Sequence, residues 1–227
     1  MRALLGLALA LGGPLAGAAA AQDCRIALSL GLDVSSSVDA AEYRLQTEGL
    51  ARALVAPEVV AAFLGEPGRT VTLQVYEWSG RGQQVVRQDW VPILGEADLA
   101  RVAGRLLASG RGFSNFPTAL GEAMAFGALA LADAPDCVEH KLDISGDGTS
   151  NDGISPSEAL ARFPFDRVTV NGLVIGSSRE ALARYYQRFV IHGPGAFVEA
   201  ATDYSDFEQA MRRKLERELQ PGRFAGR

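Results

Sequence analysis

The sequence predicts an α/β fold: a doubly wound, mostly parallel open sheet with helices on both faces and one antiparallel edge strand. Three observations carry that expectation. Short apolar runs of strand length alternate with segments of helical periodicity from Ile26 to Leu219, the order that builds parallel sheets. Two strand-like runs, 71–78 and 84–93, are separated only by the turn around Ser79-Gly80-Arg81-Gly82, so they read as a hairpin that adds an antiparallel edge. No Pro/Gly-rich linker divides the chain, which leaves one domain.

The elements follow in order. Residues 26–33 read as a buried strand, with Ile26, Leu28, Leu30 and Leu32 on one face. The small Ala27, Ser29 and Gly31 fall on the other, where a helix could pack closely. Asp39 and Glu42 have capping-box spacing, and Tyr43, Leu50, Leu54 and Val55 suit a helix. A short helix is expected over 57–64. After the hairpin, 96–107 is helical by pattern, 109–117 is a polar loop and 118–132 is a helix of small residues. Residues 140–145 are strand-like and end in Gly146-Asp147-Gly148. A helix (156–163), a strand (168–175) and a helix (180–189) come next. A last strand is expected within 190–198, interrupted by Gly193-Pro194-Gly195, and a charged amphipathic helix (206–219) closes the pattern.

Two residues fit their strands poorly. Asp143 sits in an otherwise apolar run, where an unpaired carboxylate is costly. A strand start, a basic partner or a polar pocket would each account for it. Asn171 is a similar oddity, expected to hydrogen-bond backbone near a functional site.

The first residues predict export. Met1-Arg2 gives a positive start, residues 3–11 form a short apolar core, and residues 18–21 offer small side chains for cleavage. The expectation is a signal peptide over 1–21 and a single domain over 22–227, placing the mature protein in the periplasm or outside the cell. No later run reaches the roughly 18 unbroken apolar residues of a membrane-spanning helix. A net charge of −5 argues against nucleic acid or an anionic membrane as partner. The two cysteines, Cys24 and Cys137, would meet an oxidising compartment, as a disulfide or as two buried thiols.

In open α/β sheets, ligand sites lie beyond the carboxyl ends of the strands. That rule singles out residues 33–37, 109–118 and 147–153. The first follows the apolar strand as Asp33-Val34-Ser35-Ser36-Ser37. It has three readings: a turn with a helix cap, a nucleophilic serine, or oxygen ligands for a metal. Asp33, Ser35 and Ser37 are spaced two apart, which directs alternate side chains to one side. Hard divalent cations take such oxygens, but two hydroxyls and a carboxylate fill only half an octahedron.

These residues resemble the metal-ion-dependent adhesion site of von Willebrand factor type A domains. Asp33-x-Ser35-x-Ser37 matches the first motif of that family, Thr118-Ala-Leu-Gly121-Glu-Ala123 stands in place of the second, and Ser145-Gly146-Asp147-Gly148 fits the third. The second lacks the family's further threonine, and Pro117 stands where a glycine often precedes Thr118. The chain looks especially like a bacterial family of exported type A-like proteins known only as a domain of unknown function. That likeness rests on DVSSSVDAAEYRLQ, WSG, TALGEA, ISGDGTSNDG, VNGL and GPGAFV.

The resemblance implies a cation site of Asp33, Ser35, Ser37, Thr118 and Asp147, holding Mg2+ (or Mn2+ or Ca2+). Ser35, Ser37 and sometimes Thr118 would touch the ion directly, while Asp33 and Asp147 would hold it largely through water. It further implies a partner protein that offers an exposed Asp or Glu carboxylate. It also places Cys24 and Cys137 at neighbouring strand starts, opposite the metal, where a disulfide would staple them.

An enzyme is not expected. Ser35 to Ser37 lack a Gly-x-Ser-x-Gly elbow. Only His140 and His192 could serve as a histidine base, and His140 is expected at the wrong end of the sheet. A phosphatase-like Asp-x-Asp-Gly-Thr fails because Ser145 occupies the nucleophile's place, and a calcium loop fails because Ile154 stands where an EF-hand has Glu. Metal-assisted hydrolysis at the same cation site is the alternative function.

Overall fold

Alternation along one strand sets the two faces of the molecule. A computed structural model describes residues 23–220; the expected signal peptide, 1–21, lies outside them. The chain runs β1 (Asp23–Asp33), α1 (Ala40–Leu54), α2 (Pro57–Leu64), β2 (Arg69–Trp78), β3 (Gln84–Ile93) and α3 (Glu96–Ala108). It continues through α4 (Leu120–Ala132), β4 (Cys137–Gly146), α5 (Pro156–Arg162), β5 (Val168–Ile175), α6 (Arg179–Phe189), β6 (Val198–Ala201) and α7 (Phe207–Leu219).

The six strands form one sheet in the order β3-β2-β1-β4-β5-β6. Every pair is parallel except β2 with β3, the expected antiparallel edge. Ile26, Leu28, Leu30 and Leu32 of central β1 enter a core shared with α1, α2, α3 and α7. Ala27 enters the opposite core with α4, α5 and α6. Each fully buried Leu, Ile or Val side chain contributes about 2 kcal/mol. The small face of β1 admits the Tyr76 side chain, with α4 packed over it. A Cβ on Gly31 would come within 2.6 Å of the Tyr76 ring, whose hydroxyl donates to the Ala123 carbonyl of α4 at 2.9 Å.

Helix ends follow local chemistry. Asp39 Oδ1 accepts from the Ala41 and Glu42 amides, and Glu42 Oε2 accepts from the Asp39 amide, closing the expected capping box. At the far end of α7, Arg25 donates to the Leu219 carbonyl (2.9 Å) and Lys141 to the Glu218 carbonyl (2.6 Å). Two cations thus meet carbonyls that the helix leaves unpaired. Cys24 and Cys137 face each other across the β1–β4 register and form a disulfide, with Cα atoms 4.5 Å apart and a sequence separation of 113. Closing so long a loop contributes roughly 4 kcal/mol.

The structure departs from expectation in three places. No strand fills 190–198. His192 makes one antiparallel bridge to Val170, and β6 starts only at Val198. Gly193 and Gly195 adopt φ of +84° and +72°, a left-handed turn that ends strand pairing. Strand β4 begins at Cys137, three residues before the expected start. Asn171 does not approach the carboxyl ends of the strands. Its side chain accepts from the Phe197 amide (3.0 Å) and donates to Glu218 Oε1 (2.6 Å) of α7. Asp143 has the basic partner: Lys214 Nζ lies 2.8 Å from its Oδ2, and both side chains are buried. Among the described residues, no helix is long and apolar enough to cross a membrane.

Candidate metal centre

Parallel pairing brings the ends of β1 and β4 together, with Leu32 opposite Ser145. Asp33 is the last residue of β1, and Asp147 immediately follows β4. The loop from Val34 to Asp39 is held from several sides. The Val34 amide donates to the Trp78 carbonyl (2.8 Å) and the Ser36 amide to the Phe116 carbonyl (2.8 Å). Gln46 of α1 donates to the Asp33 carbonyl (2.9 Å), and Arg111 donates to the carbonyls of Val34 (2.8 Å) and Ser35 (2.9 Å). Thr118 stays outside α4 because its backbone bonds elsewhere. Its amide donates to Asn151 Oδ1 (2.8 Å), and its carbonyl accepts from the Asn151 amide (2.9 Å).

All five residues that the resemblance implied come together. Thr118 Oγ1 donates to Ser35 Oγ (3.1 Å), Ser35 Oγ lies 3.1 Å from Ser37 Oγ, and Ser37 Oγ donates to Asp147 Oδ1 (2.6 Å). Asp33 Oδ1 accepts from the Ser35 amide (2.8 Å), while Asp33 Oδ2 is buried without a partner. Two glycines keep the space clear. A Cβ on Gly146 would lie 3.1 Å from Asp33 Oδ2 and 2.7 Å from the Tyr186 hydroxyl, and a Cβ on Gly148 would come into van der Waals contact with Thr118 Oγ1 at 3.9 Å.

The electrostatics leave this set short of positive charge. Burial pushes the Asp33 carboxyl up to about 7, and the nearby Asp147 adds to the rise. Tyr204 donates to Asp147 Oδ2 at 3.2 Å. Burial, then Asp147 and Asp33, hold the Tyr204 phenol well above its usual range, so it stays a donor. Among the described residues, no group of three His, Cys, Asp or Glu side chains is disposed to hold a metal. This set instead combines two carboxylates with three hydroxyls, a hard-oxygen inventory that fits Mg2+, Mn2+ or Ca2+ rather than a soft metal. The buried, unpartnered Asp33 Oδ2 and the open glycine cradle fit a cation as well.

Sequence reasoning missed Gln46, Arg111, Asn151 and Tyr204. Gln46 carried a faint signal, an amide four residues before Leu50 and so on the apolar face expected for the helix. Asn151 lies within the GDGTSNDG stretch. Arg111 and Tyr204 carried none, since an arginine in a loop and a tyrosine after a strand are ordinary.

The same architecture recurs in solved structures at low identity. Proximal thread matrix protein 1 from the mussel byssus, solved with a zinc-occupied MIDAS motif, aligns at TM-score 0.63 and 14% identity over 87% of this chain and 48% of its own. The pilus adhesin SpaC from Lactobacillus rhamnosus GG aligns at TM-score 0.61 and 12% identity, over 86% and 31% respectively. A von Willebrand factor type A protein from Catenulispora acidiphila aligns at TM-score 0.58 and 14% identity, over 87% and 43%. The chain thus spans less than half the length of these structures, and at such identities the likeness establishes the fold alone. No curated protein matches the sequence. The family described as "Protein of unknown function (DUF1194)" matches residues 23–222. The chain therefore belongs to that family, and its fold is the von Willebrand factor type A fold.

Proposed function

We propose that this protein is an exported binding module that recruits an acidic group of a partner protein through a divalent cation. Asp33, Ser35, Ser37, Thr118 and Asp147 would hold the ion, with Mg2+ the first candidate and Mn2+ or Ca2+ the others. The observation that carries this reading is the hydrogen-bonded set of Thr118, Ser35, Ser37 and Asp147 beside Asp33, whose Oδ2 is buried and unpartnered. The neutral hydroxyls solvate a cation without cancelling its charge, so a bound cation supplies an electrophilic centre that accepts a carboxylate from outside. The zinc-occupied motif of proximal thread matrix protein 1 and the adhesin role of SpaC support the reading by analogy of fold. The Cys24–Cys137 disulfide supports export, because such bonds persist in oxidising compartments.

This chain's residues would position the partner rather than transform it. Arg111 and Gln46 hold the loop carbonyls, and Tyr204 orients Asp147. No histidine is among these groups, which is why binding is proposed over hydrolysis. The test is calorimetric titration of chelator-stripped protein with Mg2+ and Mn2+, with and without acetate, beside Asp33→Ala and Asp147→Ala. Saturable binding is expected in the wild type, strengthened by acetate and lost in both variants. A wild type that binds neither ion under either condition would sink the proposal.

A further inference from the structure

Behind Asp33, on the sheet face that packs against α4, α5 and α6, three buried polar atoms have no partner. They are Asp33 Oδ2, the Tyr186 hydroxyl and the Trp78 indole nitrogen, each on a side chain that is fully buried. The cation site accounts only for the first. A buried donor or acceptor is costly to leave unpaired, so three in one place call for a common explanation.

Parallel register puts them side by side. Asp33 lies opposite Trp78 of β2, and Gly146 is one position past the Leu32–Ser145 pair on β4. Trp78, Asp33 and Gly146 thus form a row across three strands, and Trp78 and Tyr186 share the core on that face. Tyr186 comes in from α6 over two glycines. A Cβ on Gly172 of β5 would stand 2.6 Å from its ring, and a Cβ on Gly146 would stand 2.7 Å from its hydroxyl. The same Gly146 Cβ would lie 3.1 Å from Asp33 Oδ2 and 3.4 Å from Trp78 Cζ2, which is two bonds from the indole nitrogen. One acceptor and two donors therefore border the space beside a single glycine. Any larger residue at Gly146 would close it.

The other oxygen of Asp33 is already held by the Ser35 amide. A carboxylate has about four lone-pair sites, so Oδ2 can take a donor from the core and still face an ion, or its water, on the loop side. Donors behind a ligating carboxylate fix its orientation. We infer that Tyr186 and Trp78 are positioning residues for the cation centre, donating from the core to Asp33 Oδ2 directly or through one enclosed water. The inference rests on the proposed cation function. Neither side chain touches the ion or the partner; both act through Asp33.

The experiment uses chelator-stripped, 15N-labelled protein and Tyr186→Phe, which removes one hydroxyl and keeps the ring that fills the core. Calorimetric titration with Mg2+ and Mn2+ should show binding weakened about tenfold or more in this variant, the usual loss when an outer partner of a metal ligand is removed. A tyrosine that only filled the core would leave the affinity alone. The spectroscopic signature is the indole N–H of Trp78, distinguished from that of Trp90, the other tryptophan of the sequence, by Trp90→Phe. In cation-free protein the Trp78 signal should move in both Tyr186→Phe and Asp33→Asn, while the Trp90 signal stays. In the wild type it should also move saturably with Mg2+, at the midpoint that calorimetry gives. Equal affinity in wild type and Tyr186→Phe, or a Trp78 signal that ignores both substitutions, would overturn this inference and leave the cation reading intact. A wild type that binds neither ion would sink that reading and the positioning role with it, even if the Trp78 signal still answered Asp33→Asn.

Discussion

Two parts of this molecule bring a pair of carboxylates together around a buried aspartate, and they deal with the charge in opposite ways. Beneath α7, Asp143 and Glu218 close on a cation of the protein's own, Lys214, at 2.8 and 2.7 Å. At the carboxyl ends of β1 and β4, Asp33 and Asp147 have only hydroxyl and amide donors, and one Asp33 oxygen has none. Burial comes first in raising both Asp33 and Asp143, each to about 7. At Asp143 the Lys214 ammonium opposes that rise and Glu218 reinforces it. At Lys214 burial disfavours the charge, but Asp143 and Glu218 outweigh it and hold the ammonium above its usual range. A carboxylate pair with a built-in ammonium is a structural part. A pair without one suits an exchangeable cation.

That contrast can be broken most forcefully at Lys214. Lys214→Met leaves two carboxylates buried without their counter-ion, and removing one member of a buried ion group typically costs about 3–5 kcal/mol. In a domain of this size, a fall of roughly 10 °C or more in Tm is expected by calorimetry. A Tm within a degree or two of wild type would mean that the cluster is not the internal pair described here. Asp33→Asn should do the reverse. It removes a buried charge that lacks an ionic partner, so cation-free protein should keep its Tm or gain about 1 kcal/mol of stability, while saturable Mg2+ binding disappears. A loss as large as that of Lys214→Met would erase the distinction between the two regions.

The same contrast carries a pH dependence. Burial raises folded Asp143 from near 4 in the unfolded chain to about 7, so the folded state holds the extra proton between those values. Its contribution favours the fold most below about pH 4 and is lost as pH rises to about 7. Asp143→Asn should flatten that part of the stability profile, read from urea midpoints at several pH values. An unchanged profile would place the titration elsewhere.

The candidate site was legible in proportion to how local its parts are. Asp33, Ser35 and Ser37 lie within one turn-forming segment, and Thr118 and Asp147 each sit in a recognisable stretch after a loop or strand. Tyr204 lies 57 positions from the Asp147 it supports, and Asn171 lies 47 from Glu218. No spacing rule connects such pairs. The misplaced last strand has the same origin. Apolar residues on both sides of Gly193-Pro194-Gly195 suggested a strand interrupted there, but the two glycines at positive φ end the pairing altogether until Val198.

By itself, the sequence determined the order of strands and helices, the antiparallel edge, the cap on α1 and, through a resemblance, the residues of the candidate cation site and the disulfide. Those features follow from periodic burial and from side chains acting on their own neighbours, which nearby residues encode. Only the tertiary structure decided which cation answers Asp143, which hydroxyl supports Asp147, and that Asn171 belongs to α7 rather than to the cation loop. Those pairings depend on the strand order and on where α7 returns across the sheet. Burial makes an unmatched charge or amide costly wherever the chain happens to bring its partner from.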